Sequence, residues 1–353
     1  MRRPGHAGFV PTLVRVLDAV RDGHSRLDQQ LPPHDDGCVA VVDRDELEAS
    51  LEELHSHVAD PHAGVFGPGS LAWTLAGDVA LFAGGGRAAM LQLAHPMVAY
   101  AIDQHSRTRA DVLGRFQRTF DNVFAMLFGD LAAAFTAARR VHNIHSRIRG
   151  VIPEEIGGWA AGTPYHANDE DALRWVHATL VDTTLVIRQR IDGALPPAVL
   201  DRYVLEMNRF AALFGIPRRL LPESHAAHVA YMTEMLASDR IVVAPCAREM
   251  AAFLVGRGGG APQSAVGRLA EIITHELLPP HLAAQLMLRG APLRARATLA
   301  AFRQIYKRLP RTTVLLPAHG EARRRVTGEA PSRLAGWTGR LLDGLAQRST
   351  GAG

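Results

Sequence analysis

Apolar positions recur with a helical period along almost the whole chain, and the alternation that marks a half-buried strand is scarce. The pattern predicts helices over 71–82, 87–105, 110–128, 131–149, 169–191 and 196–214. It continues through 223–236, 247–255, 264–276, 281–288, 293–307 and a last helix over 332–346. Ser70 stands where an N-cap belongs, and Asp169-Glu-Asp171 places acids in a first turn, where the helix dipole favours them. Only 240–244 and 312–316 read as short strands. The expectation is an all-α fold built as one large helical domain over 66–325. A variable lead-in occupies 1–65, and a C-terminal helix with a disordered tail occupies 326–353. Gly256-Arg-Gly-Gly-Gly-Ala-Pro262 is the clearest hinge.

Composition narrows the function classes. A chain of 353 residues with 47% hydrophobic content can bury a sizeable core. The net charge of +4 is mild, and the basic residues, all arginine except Lys307, are spread rather than striped, which argues against nucleic acid as a partner. Cys38 and Cys246 have no C-x-x-C spacing, so zinc held by thiolates is excluded. No stretch is apolar for the length a membrane span needs. The chain reads as soluble and cytoplasmic.

Histidine and arginine carry the candidate chemistry. In Ala137-Ala-Arg-Arg-Val-His-Asn-Ile-His-Ser-Arg-Ile-Arg149, a continuous helix sets His145 and Arg149 one turn apart on a mostly buried flank with His142. Upstream lies Arg115-Phe-Gln-Arg118-Thr119, again on an apolar helix. A buried guanidinium needs an anion, yet no glutamate occurs between Leu54 and Pro153, so an acidic group that is not protein is a candidate partner. His142 and His145, spaced i, i+3, can chelate a metal, and His177 could join them in a non-haem metalloenzyme. His145 alone can serve as the axial ligand of a porphyrin whose propionates answer the arginines. A helical protein that binds a lipid or small molecule without catalysis is the third reading. His95 reads as a core histidine donating to a backbone carbonyl, and His177 lies among polar neighbours, Thr179 and Asp182. Gly84-Gly-Gly-Arg87 reads as a flexible turn into a helix, with a phosphate cradle as the alternative.

Taken together, Gly84-Gly-Gly-Arg-Ala-Ala-Met-Leu-Gln-Leu-Ala-His-Pro96, Gln104-His-Ser106, Arg115-x-x-Arg118-Thr119, Ile144-His-Ser-Arg-Ile-Arg-Gly150 and Trp175-Val-His-Ala-Thr179 carry a resemblance. In order and spacing they resemble a bacterial family grouped with the latex-clearing protein (rubber oxygenase) and the fungal prenyl-chain-cleaving oxygenase of mycophenolate biosynthesis. The resemblance covers roughly residues 65–320 and implies an all-helical, globin-like core holding haem b.

On that resemblance His145 is the iron ligand, with Arg149 four residues on, and Arg149 and Arg118 pair with the propionates. Arg115 and Thr119 line the oxygen side, Arg118 standing where the rubber-cleaving members have lysine. His177 moves protons, contacts substrate, or competes as the axial ligand. The implied partners are O2 and an apolar small molecule, prenyl-like or aromatic. The glutamate that the rubber-cleaving members use as a base has no counterpart in that helix.

Overall fold

The computed structural model describes residues 40–105, 121–257 and 263–330. The chain is essentially all-α, as the periodicity predicts. Helix α1 (Arg44–Ser56) opens on a capping box in which Asp43 and Glu46 bond each other's backbone amides. Its Leu47, Leu51 and Leu54 recur at helical spacing and enter the largest core. Ser70 caps α2 (Leu71–Ala76) as expected. The helix predicted over 71–82 stops early, because the Asp78 side chain caps Ala80 and starts a separate 3-10 turn, Val79–Gly84. The helix predicted over 87–105 is likewise two, α3 (Gly85–Leu93) and α4 (Pro96–His105). Pro96 has no amide proton to continue the first and begins the second.

After the helical residues 121–128, α5 spans Leu131–His145. A hairpin follows, strand β1 (Arg149–Val151) pairing antiparallel with β2 (Pro164–His166), with Arg149 opposite His166. The remaining helices are α6 (Glu170–Asp192), α7 (Pro197–Ala212), α8 (His225–Ala237), α9 (Pro245–Leu254), α10 (Ala265–Leu277), α11 (Pro280–Gln285), α12 (Pro292–Tyr306) and α13 (Pro317–Thr327). The two segments expected as strands are irregular or 3-10, apart from one bridge between Asp78 and Leu315. The expected helix over 332–346 lies outside the described residues.

Helix α6 touches three clusters of buried side chains. It gives Leu173, Val181 and Leu185 to the first, Trp175 and Ala178 to the second, and Ile187 and Ile191 to the third. Its register against the chain from Asp78 to Gln92 is set by polar tethers that run antiparallel. Arg188 meets Asp78 at 3.0 Å, and Arg87 meets Asp182 at 2.5 Å. Gln92 donates to Thr179 at 3.2 Å, and the Trp175 indole donates to the Leu91 carbonyl at 3.0 Å. Gly84 and Gly86 allow the approach of this segment to its neighbours. A Cβ at Gly84 would lie 2.6 Å from Thr183, and one at Gly86 would lie 2.1 Å from Thr274 on α10. The triple glycine is therefore a close-packing device and neither a flexible turn nor a cradle, since Arg87 is spent on Asp182, Thr183 and the Leu277 carbonyl.

Asp78 is 1% exposed and also receives the Tyr306 hydroxyl. Asp78→Ala leaves the buried Arg188 with Asp192 as its remaining carboxylate and strips Tyr306 and the Ala80 amide of their acceptor, and is expected to lower stability by about 2–3 kcal/mol, read as the shift of the urea midpoint. Asp78→Asn, which keeps an acceptor for Ala80 and Tyr306, should lose less. A loss under about 1 kcal/mol in the alanine variant would show that the tether does not hold α6.

Candidate active site

The two neighbourhoods that the sequence marks are built from different elements. His145 is the last residue of α5 and is partly buried. The helix does not run on to Arg149, contrary to expectation. Ser146 caps it, its amide and hydroxyl both bonding the His142 carbonyl, and the chain turns into β1. Arg149 is thus a strand residue with an exposed side chain, not a buried partner one turn below His145. No carboxylate among the described residues pairs with its guanidinium. Its carbonyl lies 3.0 Å from His105 Nε2, and Gln104 Nε2 donates to the Val151 carbonyl at 3.0 Å. Gly150 fits beneath the Tyr165 hydroxyl, where a Cβ would stand 2.6 Å away. The segments Gln104-His105 and Ile144–Gly150 are therefore brought together around the hairpin. Behind them, buried His142 sets Nε2 3.1 Å from the Val42 carbonyl, which leaves that nitrogen engaged with backbone.

His177 lies on α6 at 5% exposure, and neither ring nitrogen has a hydrogen-bond partner. Its ring stacks on Phe210 of α7 at 6.4 Å and 26°. Buried His228, on α8, places Nε2 3.8 Å from Asp182, an electrostatic contact too long for a hydrogen bond. Burial, together with the His228 charge, pushes His177 down to about 3. Burial alone would raise the Asp182 carboxyl, but His228 and Arg87 outweigh it and hold that group below the ordinary range. His177 is therefore a neutral imidazole at physiological pH and a weak base, whose nitrogens can enter a hydrogen bond or a metal bond. Sequence reasoning saw Asp182 only as local polarity. It missed His228 and Arg87, which reach Asp182 from other helices.

His95 is the second orphan. It is fully buried against Trp159 at 5.3 Å, with both nitrogens unpartnered, and burial pushes it down to about 3. The expected bond to a backbone carbonyl is absent, since the helix end freed by Pro96 is closed by the His95 amide on the Gln92 carbonyl.

Arg115, Arg118 and Thr119 lie outside the described residues. Among those described, no three His, Cys, Asp or Glu side chains are grouped to hold a metal ion, so His142, His145 and His177 do not assemble a non-haem site. A haem asks for one axial imidazole and for cations that answer its propionates. A partly buried imidazole at the end of α5, followed by a guanidinium that has no carboxylate partner among the described residues, fits that demand.

Over residues 73–310 the chain matches the family model described as ER-bound oxygenase mpaB/B'/rubber oxygenase, catalytic domain. No curated protein and no solved structure matches the chain.

The two orphan imidazoles make stability depend on acid. The unfolded chain takes up a proton at each below pH 6.5, whereas the folded chain resists until about 3. Their contribution is whole above the unfolded value and drains away as pH falls towards the folded one. Between pH 7 and pH 5 the loss is expected to be about 2 kcal/mol per histidine. Urea titrations at both pH values check it, and His177→Leu should remove its share of the pH dependence.

Proposed function

The chain belongs to this oxygenase catalytic-domain family, and from that premise we propose that it is a haem b-dependent oxygenase that joins O2 to an apolar, prenyl-like or aromatic substrate. What supports the haem is the succession of His145 and Arg149 along the chain. The imidazole closes α5, and four residues later an exposed guanidinium has no carboxylate partner among the described residues. His145 would hold the iron through Nε2, and Arg149 and Arg118 would hold the propionates, preferably by bidentate contacts. Bound there, haem supplies the redox chemistry that activates O2.

The protein's own part is binding, orientation and proton handling. Arg115 and Thr119 offer donors to negative charge that develops on oxygen. His177, neutral and enclosed beside Phe210, is the candidate for handling protons, as a hydrogen-bond acceptor facing the substrate. An imidazole pushed so far down is a weak base and cannot act as the resting acid at neutral pH, so protonation of it requires that bound haem or substrate change its surroundings.

A second reading gives the iron to His177. Its favouring observation is that both nitrogens are unpartnered inside the core, in the neutral state that a ligand needs. The two readings separate in one experiment. Purified protein, reconstituted with hemin, is expected to show a Soret band that His145→Ala abolishes and His177→Ala retains while losing turnover. The opposite pattern would transfer the ligand to His177. A colourless wild-type protein that binds no added hemin would overturn both.

A further inference from the structure

Helix α12 carries an outward face that neither the core nor the proposed site uses. On its inner side Ala295 and Tyr306 are buried, and Leu299 and Phe302 pack on the third core cluster. The flanking arginines are committed inward, Arg296 to Glu276 at 2.9 Å and Arg303 to the Ile191 carbonyl at 2.8 Å. The outer side is different. Leu293 is 83% exposed at one end, and Ile305 at 61% and Leu309 at 45% stand at the other. Between them Ala297, Ala300 and Ala301 are exposed. Interleaved with these are Arg294, Lys307 and Arg308, all exposed and without a carboxylate partner among the described residues. From Pro292 to Arg311 the chain contains no acid at all.

We propose that this face docks α12 flat on the surface of an anionic phospholipid bilayer. Fifteen helical residues run for about 22 Å, long enough to place apolar anchors at both ends of one footprint. Leucine and isoleucine side chains enter the acyl boundary while the guanidinium and ammonium groups stay at the headgroup level, the arrangement of an interfacial helix. The helix does not cross the membrane, since none in the described chain is long and apolar enough to do so. A second copy of the chain is a poor occupant, because two such faces would oppose like charges. Nucleic acid would answer the charges but leave the large apolar side chains unsatisfied. An anionic bilayer answers both, and it is the phase in which apolar molecules concentrate.

The test is co-sedimentation of the full chain with vesicles at low salt, and it reads binding and not turnover. Binding is expected to phosphatidylcholine vesicles containing phosphatidylglycerol, not to phosphatidylcholine alone, and should fall as salt rises. Arg294→Glu with Arg308→Glu is expected to weaken it by about tenfold or more. Leu293→Ser with Ile305→Ser, which leaves the charge intact, should weaken it as well. Arg140→Glu on α5 with Arg147→Glu just beyond its end, both exposed, should leave it unchanged. Thermal melts verify that the α12 variants fold, and Arg294→Gln with Arg308→Gln replaces the charge reversal if it does not. Wild-type protein that ignores anionic vesicles, binds neutral ones equally, or keeps its binding in the folded α12 variants would overturn the proposal.

Discussion

Two crossed ion pairs hold the long helix at the centre of this fold. Asp78 and Arg87 sit nine positions apart on one segment, and Arg188 and Asp182 answer them in reverse order on α6. Opposite signs at the two ends make the register unambiguous, because sliding or inverting either segment would oppose like charges or bury a charge alone. Hydrophobic burial is indifferent to small slips, and these pairs are not. The hydrogen bonds of Gln92 to Thr179 and of Trp175 to the Leu91 carbonyl then fall into place along the same interface. The two motif segments around Gly84–Pro96 and Trp175–Thr179 are thus the two sides of one contact. They carry structure as well as any chemistry assigned to His177.

The helical class, most helix positions and several caps were legible from periodicity alone. The helix expected over 169–191 is observed as Glu170–Asp192, with Asp169 as its cap. The overrun of α5 to Arg149 has a local cause. Ile148 and Arg149 continue both the apolar period and good helix propensity, while the stop comes from Ser146 bonding back to His142 and from the hairpin taking the next residues. Strands of three residues, one of them opening on a proline, leave too little pattern to read.

A buried guanidinium needs an anion, and the scarcity of carboxylates before Pro153 led to the expectation of Arg149 inside the fold with an anion that is not protein. Arg149 is outside. Of the arginines that are inside, Arg87 finds Asp182 across 95 residues, and Arg188 finds Asp78 across 110 residues as well as Asp192 one turn on. Sequence neighbours alone therefore do not show charge compensation in a helical bundle, where facing helices also supply partners. Arg149, four residues after His145, is exposed and has no carboxylate partner among the described residues.

His95 and His177 lie on different sides of α6, one against Trp159 and the other against Phe210, and the same physics acts on both. An imidazole enclosed without a partner gives up the hydrogen bonds that water supplied, a cost of about 1–3 kcal/mol for each unsatisfied group. A leucine or phenylalanine of similar volume would pack at either position without that cost. Asp182 is neutralised by Arg87 and faces His228, and the charge that acts on His177 besides burial is that of His228, which opposes protonation. At His95 the Arg240 charge opposes protonation while Asp171 favours it, and burial remains the largest influence. Each imidazole is thus held neutral by its enclosure, and an unpartnered neutral nitrogen is what a hydrogen-bond donor or a metal would need to meet there.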